Sequence, residues 1–514
     1  MLSRNEVERV KMRLYFIIFA LALCCFCGKE KAVEPEEKIL VKIDDKSISV
    51  NEFIRRAEYS IRPSYCGGSH NLDKKIVLNS LIAEKLLSIQ AGDSNAFITS
   101  DRIERYLRGR KEQSMRQWLY QEEGLRKATI DTARALKVLD VAGRRYNISY
   151  FNLPDSTFIA GMRREMRQGR SYEEVYYNFT GLDSLPQRQV EWSVNEHDHI
   201  LDSLFMAPLQ KNQIVGPVRT AEDEYLLLKI NGWVDRPAIT EAQSRERWRD
   251  IINEYKQRSA AKVYENFVKK VMKGKKIEFN PDIFFKITEF MGPLYFSFQD
   301  EKIEIMKKSY WEQENHQEEL QQLQEGIEDL YPEPLFKVDD EVWTVEDFVN
   351  ELDVHPLVFR RQRMKKNEFG QQLQFAIIDM VRDRYLADVA YKRGYDGINV
   401  IERNIDMFRD NLNYQYQRSR YLNSIVPDSI GQMPVIPLIE DYPNPYVDSL
   451  QSKYADRIRV NVEEFNDIQL TRIDMSVTQK NVPFPKLVPS FPLITSDSRL
   501  DYGRKMDESK KSKE

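Results

Sequence analysis

Two short stretches hold residue types that could do chemistry. Glu196-His197-Asp198-His199 sets four potential metal ligands in a row, and on an extended segment alternate side chains share one side. The same four residues also read as a polar loop ahead of a Leu201–Leu209 helix, and that reading is adopted, so no metal is expected. Cys66-Gly-Gly-Ser-His70 places a thiol near an imidazole. A nucleophilic thiol needs a third group to orient its base, and none is in view. Gly67-Gly68 more simply marks a flexible loop. His316 and His355 stand alone in helical surroundings and read as structural. The chain carries no P-loop, dinucleotide fingerprint or nucleophile elbow, so neither nucleotide nor cofactor is expected. A net charge of −4 over 514 residues, with both signs interspersed, gives no nucleic-acid signal.

More is carried by the pattern of elements in residues 169–229. Gly169-Arg-Ser171-Tyr172-Glu173-Glu174-Val175 reads as the end of a helical segment, and Gln189-Val-Glu-Trp192 follows. Gly216-Pro217, inside Ile214-Val-Gly-Pro-Val-Arg-Thr220, punctuates a turn. Tyr225–Ile230 is a dense apolar run of strand length.

In this order the four motifs resemble the parvulin (PpiC) type of peptidyl-prolyl isomerase domain over about residues 145–234. The resemblance implies a small antiparallel or mixed sheet with helices. It also implies two strand histidines, a nearby Cys or Asp, and Met, Phe and Thr pocket residues around a bound proline. Matched position by position, Tyr150 and Leu226 stand where the histidines are expected, and Asp183 lies near the Cys/Asp position. Ile200 falls at a pocket phenylalanine, Glu196 at the methionine, Thr220 is kept, and Phe205 matches a structural phenylalanine. Rotation about the peptide C–N bond meets a barrier of roughly 18–20 kcal/mol. With the polar groups replaced, a weak or absent isomerase is expected, and whether the chain is an enzyme stays open.

Leu14–Leu23 is an apolar run of ten residues behind Lys11 and Arg13, too short to span a bilayer and suited to a signal-peptide core. It ends in Cys24-Cys25-Phe26-Cys27, which resembles a bacterial lipoprotein signal, with Cys25 the best-placed cysteine for lipid. A plain secretory signal is the alternative. Of the four cysteines only Cys66 lies in the body, so no disulfide framework is expected.

The body contains a repeat. Leu40-Val-Lys-Ile-Asp44-Asp45 leads to Ser49-Val-Asn-Glu52-Phe53, a capping box at the start of a helix. The pattern returns 295 residues later as Leu335-Phe-Lys-Val-Asp339-Asp340 and Thr344-Val-Glu-Asp347-Phe348. Leu81, Glu84 and Leu87 then match Met380, Asp383 and Leu386, and Ile103-Glu-Arg105 matches Ile401-Glu-Arg403. The apolar positions recur at three and four residues, the stripe of a core-facing helix. Two strand-like endings complete the set, Lys276-Ile-Glu-Phe-Asn280 and Arg457-Ile-Arg-Val-Asn461. We read an ancient duplication.

The expected class is therefore α+β and mostly helical: a duplicated helical core with one inserted α/β module. The expected segments are a signal (1–27), a tether (28–38) and a first core (39–144 with 237–280) around the parvulin-like domain (145–236). A linker with a helix (281–334), a second core (335–470) and a disordered tail (471–514) follow. This plan resembles exported chaperones of the SurA and PrsA type. That resemblance implies a periplasmic, lipid-anchored protein of the bacterial envelope whose partners are unfolded or proline-containing clients and the membrane. An active isomerase and a structural envelope scaffold are the alternatives.

Overall fold

The computed structural model describes residues 37–153, 156–192, 196–220, 225–308, 327–361, 364–425, 434–471, 476–500 and 504–505. The expected signal, Cys25, His316 and most of the tether lie outside them. The fold is α+β and mostly helical, with small, largely antiparallel sheets. It divides into two compact units. The first holds Met1–Glu104, Asp406–Lys480 and Pro485–Glu514; the second holds Arg105–Ile405 and Asn481–Phe484.

The first unit opens with β1 (Ile39–Ile43) and β2 (Lys46–Ser49). Asp44 takes the left-handed turn position at φ 51°, a conformation a short polar side chain tolerates. The Ser49 side chain accepts from the Glu52 N–H (3.0 Å) and caps α1 (Val50–Glu58). Glu52 does not close the expected capping box; Lys85 lies 3.0 Å from its carboxylate. The next helix, α2 (Asn71–Ala91), buries nearly every side chain of its middle three turns.

Residues 105 onward of α3 (Asp101–Tyr120) belong to the second unit. After α4 (Thr132–Leu139) comes the expected sheet: β3 (Arg144–Leu153), α5 (Ser156–Arg167), α6 (Tyr172–Thr180), β4 (Gln187–Glu191), α7 (Asp198–Phe205), β5 (Ile214–Arg219) and β6 (Tyr225–Asp235). Its order is β4-β3-β6-β5 and every pair is antiparallel. Side chains alternate between two faces. Phe151, Leu153 and Leu227 pack with Ile159 and Met162 of α5 and with Val175 of α6. Tyr146, Ile148, Leu228 and Ile230 pack with Leu204 and Phe205 of α7 and with Ile251 of α8 (Glu241–Val271).

Two local readings change. Ser171 starts a helix rather than trailing one, because its hydroxyl accepts from the Glu174 N–H (3.2 Å) while Glu174 accepts from the Ser171 N–H (2.8 Å). Gly216-Pro217 sits inside β5 at a shift in register, not in a separate turn.

β7 (Ile277–Phe279) and α9 (Pro281–Lys308) precede a second hairpin, β8 (Pro334–Val338) and β9 (Glu341–Thr344), with Asp339 at φ 53°. Then come α10 (Val345–Val354), capped by Thr344 and Asp347, and α11 (Phe369–Lys392). The aromatic side chains of α9 find a core: Phe284, Phe290, Tyr295 and Phe296 lie on one that includes Phe336, Phe348, Leu373 and Ile377.

The chain returns to the first unit within α12 (Asn399–Ile425), followed by α13 (Val435–Asp441), α14 (Pro443–Tyr454), β10 (Ile458–Val460), α15 (Val462–Asp467) and β11 (Arg504–Lys505). The proline-containing stretch 434–445 is therefore largely helical.

Two expectations about assembly are corrected. The strand at 277–279 does not close the first core; it pairs with β8, Phe279 opposite Phe336. The strand at 458–460 pairs with β1, Val460 opposite Val41. Both donor strands alternate alike and both acceptors follow the same pattern, so local sequence suits either partner. Nor is the whole tail unpacked. Phe491 and Ile494 join the core of Leu40, Phe53 and Leu78, and Phe484 lies edge-on to Tyr106. Prolines stop regular structure there, but these apolar side chains still find a core.

Candidate functional site

The positions singled out by the parvulin resemblance fall on and around one face of the four-stranded sheet. Tyr150, near the middle of β3, is half-buried and lies opposite Leu228. Leu226 is two residues away on β6, on the same face and diagonal to Tyr150. Ile200, on the first turn of α7, and Leu226 are buried members of the same cluster, at 3% and 7% exposure. They are filled core, not the walls of an open proline pocket.

Glu196 is held by Arg188 of β4, with Nη1 2.6 Å from Oε2, and also accepts from the His197 N–H at 3.0 Å. The Arg188 guanidinium stands 5.9 Å from the Tyr150 ring centroid. The structure thus gathers Tyr150, Glu196, Ile200 and Leu226 around one face. Thr220 lies half-buried beyond the end of β5. Asp183 is exposed in the loop between α6 and β4.

Chemically the gathered positions offer the Tyr150 phenol, one carboxylate matched by a guanidinium, and aliphatic side chains, beside the buried aromatics Tyr146 and Phe205 of the same cluster. Among the described residues these positions include no imidazole and no free acid–base pair of the kind general catalysis uses. His197 is occupied otherwise: its Nδ1 accepts from the His199 N–H (3.3 Å) and caps α7. The two rings stack at 5.4 Å. Burial first, then the neighbouring His199, holds His197 below its ordinary pKa.

Sequence reading missed the charged clamp beneath α7. Arg258 of α8 reaches Asp198 (3.1 Å), Asp202 (2.9 Å) and Glu254 (2.8 Å), and Arg134 of α4 reaches Asp202 (2.8 Å). Arg258 also lies 5.9 Å from the Trp192 ring and 5.6 Å from that of Tyr255. The available signal was Asp198 and Asp202, four apart on a helix.

The other constellation dissolves. Cys66 is buried, and burial pushes its thiol up to about 12, the opposite of activation. The His70 backbone N–H donates to Asp73 (3.1 Å) at the start of α2. His355 sits buried in the second unit, with Nε2 3.2 Å from Asp383. Among the described residues no helix is long and apolar enough to cross a membrane.

No protein-family model matches this chain, and no curated protein matches it. Among solved structures, PrsA from Bacillus subtilis is similar at 15% identity, over 45% of this chain and 93% of that one, with a TM-score of 0.16. A score that low establishes no shared fold.

Proposed function

We propose that the chain is a chaperone of exported polypeptides, held in the bacterial envelope on its periplasmic side by a lipid on Cys25. In this reading its duplicated helical cores flank an inserted parvulin-like module that has lost its catalytic polar groups. The observation that carries the reading is the β4-β3-β6-β5 sheet with Tyr150 and Leu226 on one face where the resemblance places histidines. Clients, unfolded or proline-containing, are captured by apolar contact at roughly 25 cal/mol per Å² buried. No nucleotide, nucleic acid or cofactor takes part, so release depends on weak, exchangeable contacts.

The test uses the full chain without its signal. It should suppress aggregation of an unfolded outer-membrane protein at near-equimolar ratio. It should also leave the isomerisation rate of a proline tetrapeptide within twofold of the buffer rate. Clear isomerase activity that falls in Tyr150→Phe or Asp183→Ala would favour the enzyme reading. One stable partner with no suppression of aggregation would favour a scaffold.

A further inference from the structure

We infer that the two repeats exchange their second halves: each unit joins the first half of one repeat to the second half of the other, making the chain a fused counterpart of a segment-swapped dimer.

Register carries the first part of the argument. At the repeat spacing of 295, Val41 and Ile43 correspond to Phe336 and Val338. Val41 faces Val460 and Ile43 faces Ile458, while Phe336 faces Phe279 and Val338 faces Ile277. The residues after the donor strands repeat the match. The Asn461 N–H donates to the Leu40 carbonyl (2.8 Å), and the Asn280 N–H donates to the Leu335 carbonyl (2.9 Å). In both hairpins the turn aspartate at positive φ is held by a basic residue from the donor segment: Arg457 on Asp44 (2.7 Å) and Lys275 on Asp339 (2.6 Å).

The helices carry the second part. Glu84 on α2 and Asp383 on α11 are repeat equivalents. Asn411 of α12 donates to Glu84 at 2.7 Å, and Arg116 of α3 approaches Asp383 at 3.4 Å. In each unit the helix that meets this acidic position comes from the other repeat. Since α3 and α12 correspond through Ile103 and Ile401, strand and helix are exchanged together. Repeats with matching donors and acceptors suit swapping because closed and exchanged forms share nearly all their contacts. Joining them in one chain keeps the partner at high effective concentration.

Two double-cysteine variants test the exchanged pairs and two the unexchanged ones. All are made in a full chain whose other cysteines are alanine, with a protease site placed between residues 309 and 326. Val41/Val460 and Phe279/Phe336 both sit in the closer, non-hydrogen-bonded register of their ladders, which suits a disulfide. After oxidation and cleavage, V41C/V460C and F279C/F336C should each stay one species on a non-reducing denaturing gel. V41C/F279C and F336C/V460C each carry both cysteines on one side of the cleavage point, so they are read by maleimide labelling under denaturing conditions and should keep both thiols free. Fragments from the first two variants, with thiols protected in the second two, overturn the inference. The unsubstituted chain supplies a second readout: zero-length carbodiimide coupling should join Lys38 to Glu464 and Lys275 to Asp339, each 2.6 Å apart. Both links bridge the cleavage point, and their absence from peptide maps also overturns it.

Discussion

Replacing Arg56 by methionine should open the first unit without touching the second. Arg56 on α1 and Glu84 on α2 are fully buried and joined by two hydrogen bonds of 2.6 and 2.8 Å. Glu84 also accepts from Asn411 (2.7 Å), and Arg56 donates to the Ser490 carbonyl (3.1 Å). Methionine fills much of the same volume but leaves the Glu84 carboxylate buried with a single neutral donor. Breaking a buried pair from one side costs about 3–5 kcal/mol, a large part of a domain's ~5–15 kcal/mol. Removing both charges, as R56M/E84L, takes away the unpaired carboxylate and newly orphans only Asn411, at about 1–3 kcal/mol, since the Ser490 carbonyl is already orphaned in R56M. The double variant should therefore be no less stable than R56M, a strongly non-additive cycle. All six tryptophans lie between residues 105 and 405, so tryptophan fluorescence is blind to this change. Native-state hydrogen exchange of a peptide covering residues 76–88 reads it directly. Protection there should fall by two to four decades in R56M. A fall of less than fivefold would refute the reasoning, and so would a double variant that loses the sum of the two single losses.

Two further substitutions probe separate features. Burial pushes the Asp410 carboxyl up, but Lys85 and Lys46 outweigh it and hold the group at about 2, below an unfolded value near 3.9. Its contribution of about 2.5 kcal/mol is present above pH ~4 and lost as pH falls through ~2. Glu52, raised by burial and by Asp410 against the pull of Lys85, adds an opposite slope only above pH ~4, outside the window compared. Acid unfolding of Asp410→Asn, followed by circular dichroism, should be flatter than the parent between pH 4 and 2; identical slopes would exclude this role. Gly216 sits at φ 120°, and a Cβ there would lie 2.7 Å from the Leu226 carbonyl oxygen. Gly216→Ala should cost at least about 2 kcal/mol in urea unfolding. Trp192 and Trp233 pack on the adjoining cluster and report it; a loss under 0.5 kcal/mol would show that β5 relaxes freely.

What could be read in the sequence was local. The serine and threonine caps, the strand-like endings at 276–280 and 457–461 and the Tyr225–Ile230 strand each rest on signals within ten residues. The site was half legible. Tyr150, Ile200 and Leu226 do share one sheet face, since strand alternation and a motif order constrain them together. Asp183 lies exposed on a loop, where no periodicity fixes an alignment. Arg188 escaped notice because an arginine on a short edge strand looks solvated until Glu196, eight residues on, folds back to it.

The exchange of strands was illegible for a deeper reason. On the proposed duplication, donor segments are alike and acceptor segments are alike, so every local rule is satisfied by both pairings. Neither register, nor alternation, nor the closing asparagine separates Val41–Val460 from Val41–Phe279. Loop closure does little to help, because its entropic cost grows only as the logarithm of length. The choice falls to side chains whose partners differ between the copies. Glu84 meets Arg56 and Asn411, whereas its equivalent Asp383 meets His355, Arg382 and Arg116. Those buried charges are mutually exclusive in detail though alike in plan, and a buried charge without its own partner is costly. Polar residues inside otherwise interchangeable cores are thus the elements able to decide which half closes which.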